Sequence, residues 1–153
     1  MKSFIILSIA AVIVSSCLTK TETIEVKIPS PNKEPVIQLE QGCYGFSDEN
    51  SSIRFQIVTA TEQNVEGRLY YALAEKDANN GAFKGVMNGD TLIGMYTFTS
   101  EGIESTREVA FLLKNKSLVE GFGAMDSSGT KFLDVHELEY SSTMPLTKIS
   151  CED

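Results

Sequence analysis

The chain reads as an all-β protein, an antiparallel up-and-down barrel of about eight strands, on three observations. Apolar and polar residues alternate with period two through most of the body, clusters of turn-forming residues interrupt that alternation, and glycines flanked by apolar residues recur inside the alternating runs. Alternation of this kind puts one face of a strand in a core and the other in water. An open β-sandwich is the second arrangement compatible with the same pattern.

Taken in order, Ile53, Phe55 and Ile57 alternate with Ser52, Arg54 and Gln56; Val65, Leu69, Tyr71 and Leu73 alternate with Glu66, Arg68 and Tyr70. Further on, Val109, Phe111 and Leu113 alternate with Glu108, Ala110 and Leu112. Turn chemistry separates the runs at Asp48-Glu49-Asn50, Glu62-Gln63-Asn64, Asp77-Ala78-Asn79-Asn80-Gly81, Asn88-Gly89-Asp90, Ser100-Glu101-Gly102, Lys114-Asn115-Lys116 and Asp126-Ser127-Ser128-Gly129. These turns set the strand count. The one helical candidate is a short stretch near Val135 to Tyr140.

The glycine repeat selects a closed sheet over a flat one. It runs through Tyr44-Gly45-Phe46, Val65-Glu66-Gly67-Arg68-Leu69, Phe83-Lys84-Gly85-Val86-Met87, Leu92-Ile93-Gly94-Met95-Tyr96 and Val119-Glu120-Gly121-Phe122-Gly123. Glycine weakens a flat strand but lets the backbone bend sharply or lets a large neighbour lie over it. Phe55, Leu69, Tyr71, Met87, Tyr96, Phe98 and Phe111 are the candidate interior side chains. An eight-strand barrel either fills with such residues or encloses one small ligand, so these seven are also the candidate ligand-facing residues.

Residues 43–153 are long enough for a single domain with one core. Before them, residues 17–42 contain Pro29, Pro31 and Pro35, three of the four prolines, and read as a linker. Stiffened toward polyproline II, the 25 residues after Cys17 would reach at most roughly 80 Å. A first strand around Val36 to Leu39 is the competing reading of the end of this segment.

Residues 1–16 have the parts of a secretory signal: the charge of Lys2, an apolar run from Phe4 to Val14, and small residues before a cut. Eleven residues are too few to span a bilayer, which needs about 20. Val14-Ser15-Ser16-Cys17 resembles the lipobox of bacterial lipoproteins. That resemblance implies a diacylglycerol thioether on Cys17, cleavage before it, N-acylation, and anchoring in the cell envelope through the acyl chains. With Leu18 rather than Asp next, it also implies sorting to the outer membrane. Lipidation of Cys17 leaves Cys43 and Cys151 as a disulfide pair in an oxidising compartment. In a closed meander the first and last strands are neighbours, so this bridge would staple their seam.

The chain carries 13 Lys and Arg against 21 Asp and Glu, and loss of residues 1–16 removes Lys2 and no acid, taking the charge from −8 to −9. A field of that sign excludes nucleic acid as a partner and disfavours anionic headgroups. It favours a basic protein, whose approach it would steer.

Motifs for chemistry are few. His136 is the only histidine, with Asp134 two residues before it, and no Gly-x-Ser-x-Gly elbow supplies a nucleophile. A hydrolase would depend on His136 alone; a solvated or capping pair is the simpler reading. Zinc lacks its three or four ligands, and Asp77-x-Asn79-x-Gly81 lacks the rest of a calcium loop. Glu101, Glu104 and Glu108, with Arg107 among them, suggest paired carboxylates for hydrolysis, but Glu104 and Glu108 share the outer, solvated face of a strand and nothing places them across a cleft. Gly121-Phe122-Gly123 is no phosphate loop. Asp90-Thr91-Leu92 resembles a bacterial O-glycan acceptor tripeptide, beside its simpler reading as a turn exit. No metal, cofactor or catalytic residue is expected.

The body loosely resembles the calycin-like barrels, lipocalins and avidins among them, and the barrel domains of small bacterial envelope lipoproteins. It offers Gly42-Cys43-Tyr44-Gly45 where lipocalins open with Gly-x-Trp. The resemblance implies a non-enzymatic binding module for a small apolar ligand or a protein partner. An acidic inhibitor or partner of a basic envelope protein is the alternative, and a hydrolase using His136 the second.

Overall fold

The computed structural model describes residues 38–61 and 63–152. The signal segment, Cys17 and the linker up to residue 37 lie outside the described residues, as does Glu62 in the second expected turn. Eight strands form: β1 (Gly42–Ser47), β2 (Ser52–Ala60), β3 (Val65–Ala72), β4 (Asn79–Asn88), β5 (Thr91–Ser100), β6 (Ile103–Lys114), β7 (Ser117–Gly121) and β8 (Thr147–Ile149).

Consecutive strands pair antiparallel from β1 to β7, and β8 returns to the other edge of β1, giving the order β7-β6-β5-β4-β3-β2-β1-β8. Leu146, the residue before β8, exchanges two backbone hydrogen bonds with Leu118 of β7, at 2.9 and 2.8 Å. That single bridge brings the two ends of the sheet together. The fold is a nearly closed antiparallel barrel, as the alternation and the glycine repeat predict.

A disulfide joins Cys43 on β1 to Cys151, two residues beyond β8, with Cα atoms 5.2 Å apart. It staples the pairing of β1 with β8, which has only three residue pairs of its own. The segment entering β1 is tied down as well. Leu39 is buried in the core, and Glu40 forms an ion pair with Lys148 of β8. The folded body therefore includes residues just before Cys43.

Side chains meet across the interior. Phe55 on β2 packs edge-on to Phe83 on β4, with centroids 5.0 Å apart, and lies 5.4 Å from Phe111 on β6. Three strands separate β2 from β6 in the sheet, so the contact between Phe55 and Phe111 crosses the barrel. Each fully buried ring or aliphatic side chain contributes about 1.5–3 kcal/mol relative to exposure. Gly85 and Gly94 are cross-strand partners, and the Phe83 ring lies over both. A Cβ on Gly94 would stand 2.4 Å from the Lys84 carbonyl oxygen and 2.6 Å from Phe83 Cζ. Here the glycine repeat has its physical reason.

Two expected turns resolve differently. Asn79, Asn80 and Gly81 belong to β4, opposite Tyr71, Tyr70 and Leu69, so the loop before β4 covers only 73–78. Gly81 marks close strand approach rather than a bend, since its Cβ would lie 2.0 Å from Thr97 O. Asp126–Gly129 does form a turn, with Gly129 N donating to Asp126 O at 2.9 Å, but inside the long connection from β7 to β8. The helical candidate shortens to a 3-10 turn at Val135–Glu137.

Candidate functional site

Of the seven interior candidates, Phe55, Leu69, Tyr71, Tyr96 and Phe111 are fully buried, while Met87 and Phe98 are half-buried against the core. All seven serve as packing. What distinguishes one end of the barrel is a polar cluster built among them. Val109, Phe111 and Leu113 of β6 point inward, and the same parity turns Arg107 inward two residues earlier. Leu118 does the same for Glu120 on β7, and Leu69 for Tyr71 on β3.

Arg107 sits among aromatic faces. Its Cζ lies 5.2 Å from the Tyr71 ring centroid, 5.6 Å from Phe98 and 5.8 Å from Tyr96. Tyr96 and Phe98 stack on each other at 4.8 Å. Such cation–ring contacts are worth about 0.5–2 kcal/mol each, the larger values belonging to desolvated sites. The guanidinium itself makes no hydrogen bond or ion pair among the described residues, and its Nε is buried without a partner.

The phenols and the carboxyl complete the cluster. Tyr71 donates to Glu120 Oε1 at 2.9 Å, and Tyr96 donates to Asn79 Oδ1 at 2.7 Å. Burial pushes Tyr71 well above its ordinary pKa, helped by the Glu120 charge. Burial likewise raises Tyr96, to about 12, against the pull of Arg107. Both phenols therefore stay neutral donors at physiological pH. Burial also raises Glu120, while the Tyr71 hydrogen bond and the Arg107 charge draw it back.

The cluster opens to solvent where β7 ends. The last residue pair between β6 and β7 is Ala110 with Gly121. Beyond it, the connection toward β8 covers β6 instead: Glu108 N donates to Thr130 O at 2.7 Å, and Phe132 N donates to Glu108 Oε2 at 3.0 Å. Between this connection and β6 lies a cleft of about 250 Å³. Arg107 and Glu120 line its inner side, and Phe122, Met125 and Phe132 its apolar walls. A larger open cleft, about 820 Å³, runs over the outer face of β1 and β2, lined by Arg54, Tyr70, Pro145 and Ile149 among others.

The antiparallel meander fixes which turns share an end. The β1–β2, β3–β4 and β5–β6 connections lie together, at the end where the Arg107 cluster sits. They carry the exposed acids Asp48, Glu49, Glu75, Asp77 and Glu101 against one cation, Lys76. Among the described residues, the turns of the opposite end carry Lys116 against Asp90.

Asp134 and His136 do not meet as an acid–imidazole pair. Asp134 caps the 3-10 turn, its Oδ1 accepting from the backbone N of His136 at 2.8 Å, and His136 is exposed. Glu104 and Glu108 fall on the outer face of β6, as their spacing predicts, with Glu108 occupied by the Phe132 amide. The described residues contain no group of three or more His, Cys, Asp or Glu able to hold a metal ion, and no helix long and apolar enough to cross a membrane.

Sequence reasoning missed Arg107 and Glu120. Arg107 was read with the charged outer face of its strand and Glu120 only as a neighbour of Gly121, yet each lies an even number of residues from a buried neighbour on its own strand. Comparison of the chain with protein-family models, with curated proteins and with solved structures gives no match, so the fold and this cluster stand on their own geometry.

Proposed function

We propose that the protein is a lipid-anchored, non-enzymatic binding module of the bacterial cell envelope, and that it docks a basic protein on the acidic end of its barrel. The observation that carries the docking surface is the gathering of Asp48, Glu49, Glu75, Asp77 and Glu101 on three neighbouring turns. The Phe55–Phe111 contact across the barrel supports an external surface over a central cavity, because rings occupy the space an enclosed ligand would take. Charge on a rim raises the association rate and weakens with salt. The anchor rests on Val14-Ser15-Ser16-Cys17, and the acyl chains on Cys17 would hold the module at a membrane.

The test has two arms. Replacing Cys17 by Ser should move the protein from the membrane fraction to the soluble fraction; retention in the membrane would remove the anchor. Immobilised protein should retain basic envelope proteins at low salt and release them at high salt. Retention that ignores salt would remove the electrostatic docking surface.

A further inference from the structure

The cleft between β6 and the 122–132 connection has a second, chemically distinct capacity. The guanidinium of Arg107 offers a planar edge of N–H donors. Three ring faces contact it, but no acceptor does, and its Nε is buried without a partner. Arg107 is half-buried, with Nε shielded from water and without an acceptor, and an anion placed on the accessible part of its edge would supply a charge-assisted pair that no group among the described residues makes. Next to this edge, Phe122, Met125 and Phe132 present apolar surface, and Phe122 is 49% exposed.

The geometry points to this cleft as a binding site for a small monocarboxylate with an apolar tail, its carboxylate on the edge of Arg107 and its tail against Phe122, Met125 and Phe132. Size, charge and shape narrow the class. A cleft of about 250 Å³ lies just below the usual range of ligand sites, so the tail is no larger than an aromatic ring or a short branched chain. Glu120 on the same lining disfavours a dianion such as phosphate. The planar carboxylate matches the guanidinium fork. This cleft lies at the same end of the barrel as the acidic turns but shares no residue with them and needs no protein partner, so its failure and the failure of the docking surface are distinguishable.

The experiment is a two-dimensional amide NMR titration of the full chain carrying Cys17→Ser, with phenylacetate as probe and phenylacetamide as its neutral counterpart. Phenylacetate is expected to shift the amides of Gly121, Gly123 and Phe132 saturably, and the amide to bind at least about tenfold more weakly, because it cannot make the charge-assisted pair. Arg107→Gln should abolish the preference for the acid. Phe122→Ser, at an exposed position, should weaken phenylacetate several-fold while leaving acetate unchanged. The site is overturned if phenylacetate gives no saturable shift at these amides, if acid and amide bind alike, or if acid binding survives Arg107→Gln. Should Arg107→Gln fail to fold, the acid–amide comparison and Phe122→Ser still decide.

Discussion

The phenol of Tyr71 on β3 donates to Oε1 of Glu120 on β7 across the barrel, at 2.9 Å, although three strands stand between them in the sheet. The bond ties the last strand of the meander to its middle at the end where β7 leaves β6. Replacing Tyr71 by Phe keeps the ring under Arg107 but removes the donor from a carboxylate in a poorly hydrated position. We expect a loss of about 1–3 kcal/mol in urea unfolding. An unchanged midpoint would mean that water replaces the phenol without cost.

Glu120 also gives the protein a pH signature. Its folded-state pKa is raised by burial above the ordinary carboxylate value, so just above that value the native state holds a proton that the unfolded chain has released. Stability from this group is present below the unfolded pKa and is lost as pH rises through the folded one. Glu120→Gln, which keeps an acceptor for Tyr71, should flatten that loss. Thermal melts across the acid range would show it as a smaller drop from mildly acidic to neutral pH; identical profiles would contradict the burial of this carboxyl.

The Gly85–Gly94 pair should tolerate no side chain. A Cβ on Gly94 meets the Lys84 carbonyl, the Gly85 Cα and the Phe83 ring, each within 2.6 Å, and two of the three are backbone. Gly94→Ala is expected to lower stability by about 1–3 kcal/mol through overpacking, visible as a reduced melting temperature. A neutral result would mean that β4 and β5 can separate without disturbing Phe83.

Cysteine chemistry tests the fold and the anchor together. The bridge between Cys43 and Cys151 spans 108 residues, and its removal by paired Ser substitution should cost up to about 4.7 kcal/mol on a chain-entropy model. Unfolded, unreduced mature protein should show no free thiol if Cys17 is acylated, and one if it is not. Intact mass would give the same answer independently, as the added weight of diacylglycerol and an N-acyl chain.

Alternation made most of this fold legible. Ile53, Phe55 and Ile57 on β2, and Val109, Phe111 and Leu113 on β6, announce their faces because each strand has one dry side. The pairing of Cys43 with Cys151 followed from the odd cysteine count once Cys17 is set aside for lipidation, and closure gave the bridge a seam to staple. β8 left no such signal: Thr147, Lys148 and Ile149 are all exposed and are a strand only through pairing with β1. Asn79 and Asn80 looked like turn residues because their side chains are polar. Asn79 is instead an acceptor for the buried phenol of Tyr96. Arg107 was read with the charged face of its strand for a related reason, since polar residues at a barrel end can point inward once aromatic faces and a second polar group receive them.

We propose that the acidic end of the barrel docks a basic partner. Its most direct test compares the wild-type chain with one carrying Glu49→Gln, Glu75→Gln, Asp77→Asn and Glu101→Gln, a set that spares Asp48 because its Oδ1 accepts the amides of Asn50 and Ser51. Both proteins would be used to capture envelope proteins at low and high salt, and the retained proteins identified by mass. A basic set is expected to be held by the wild type at low salt, and lost both at high salt and with the neutralised rim. The same proteins retained by both chains at every salt would contradict it.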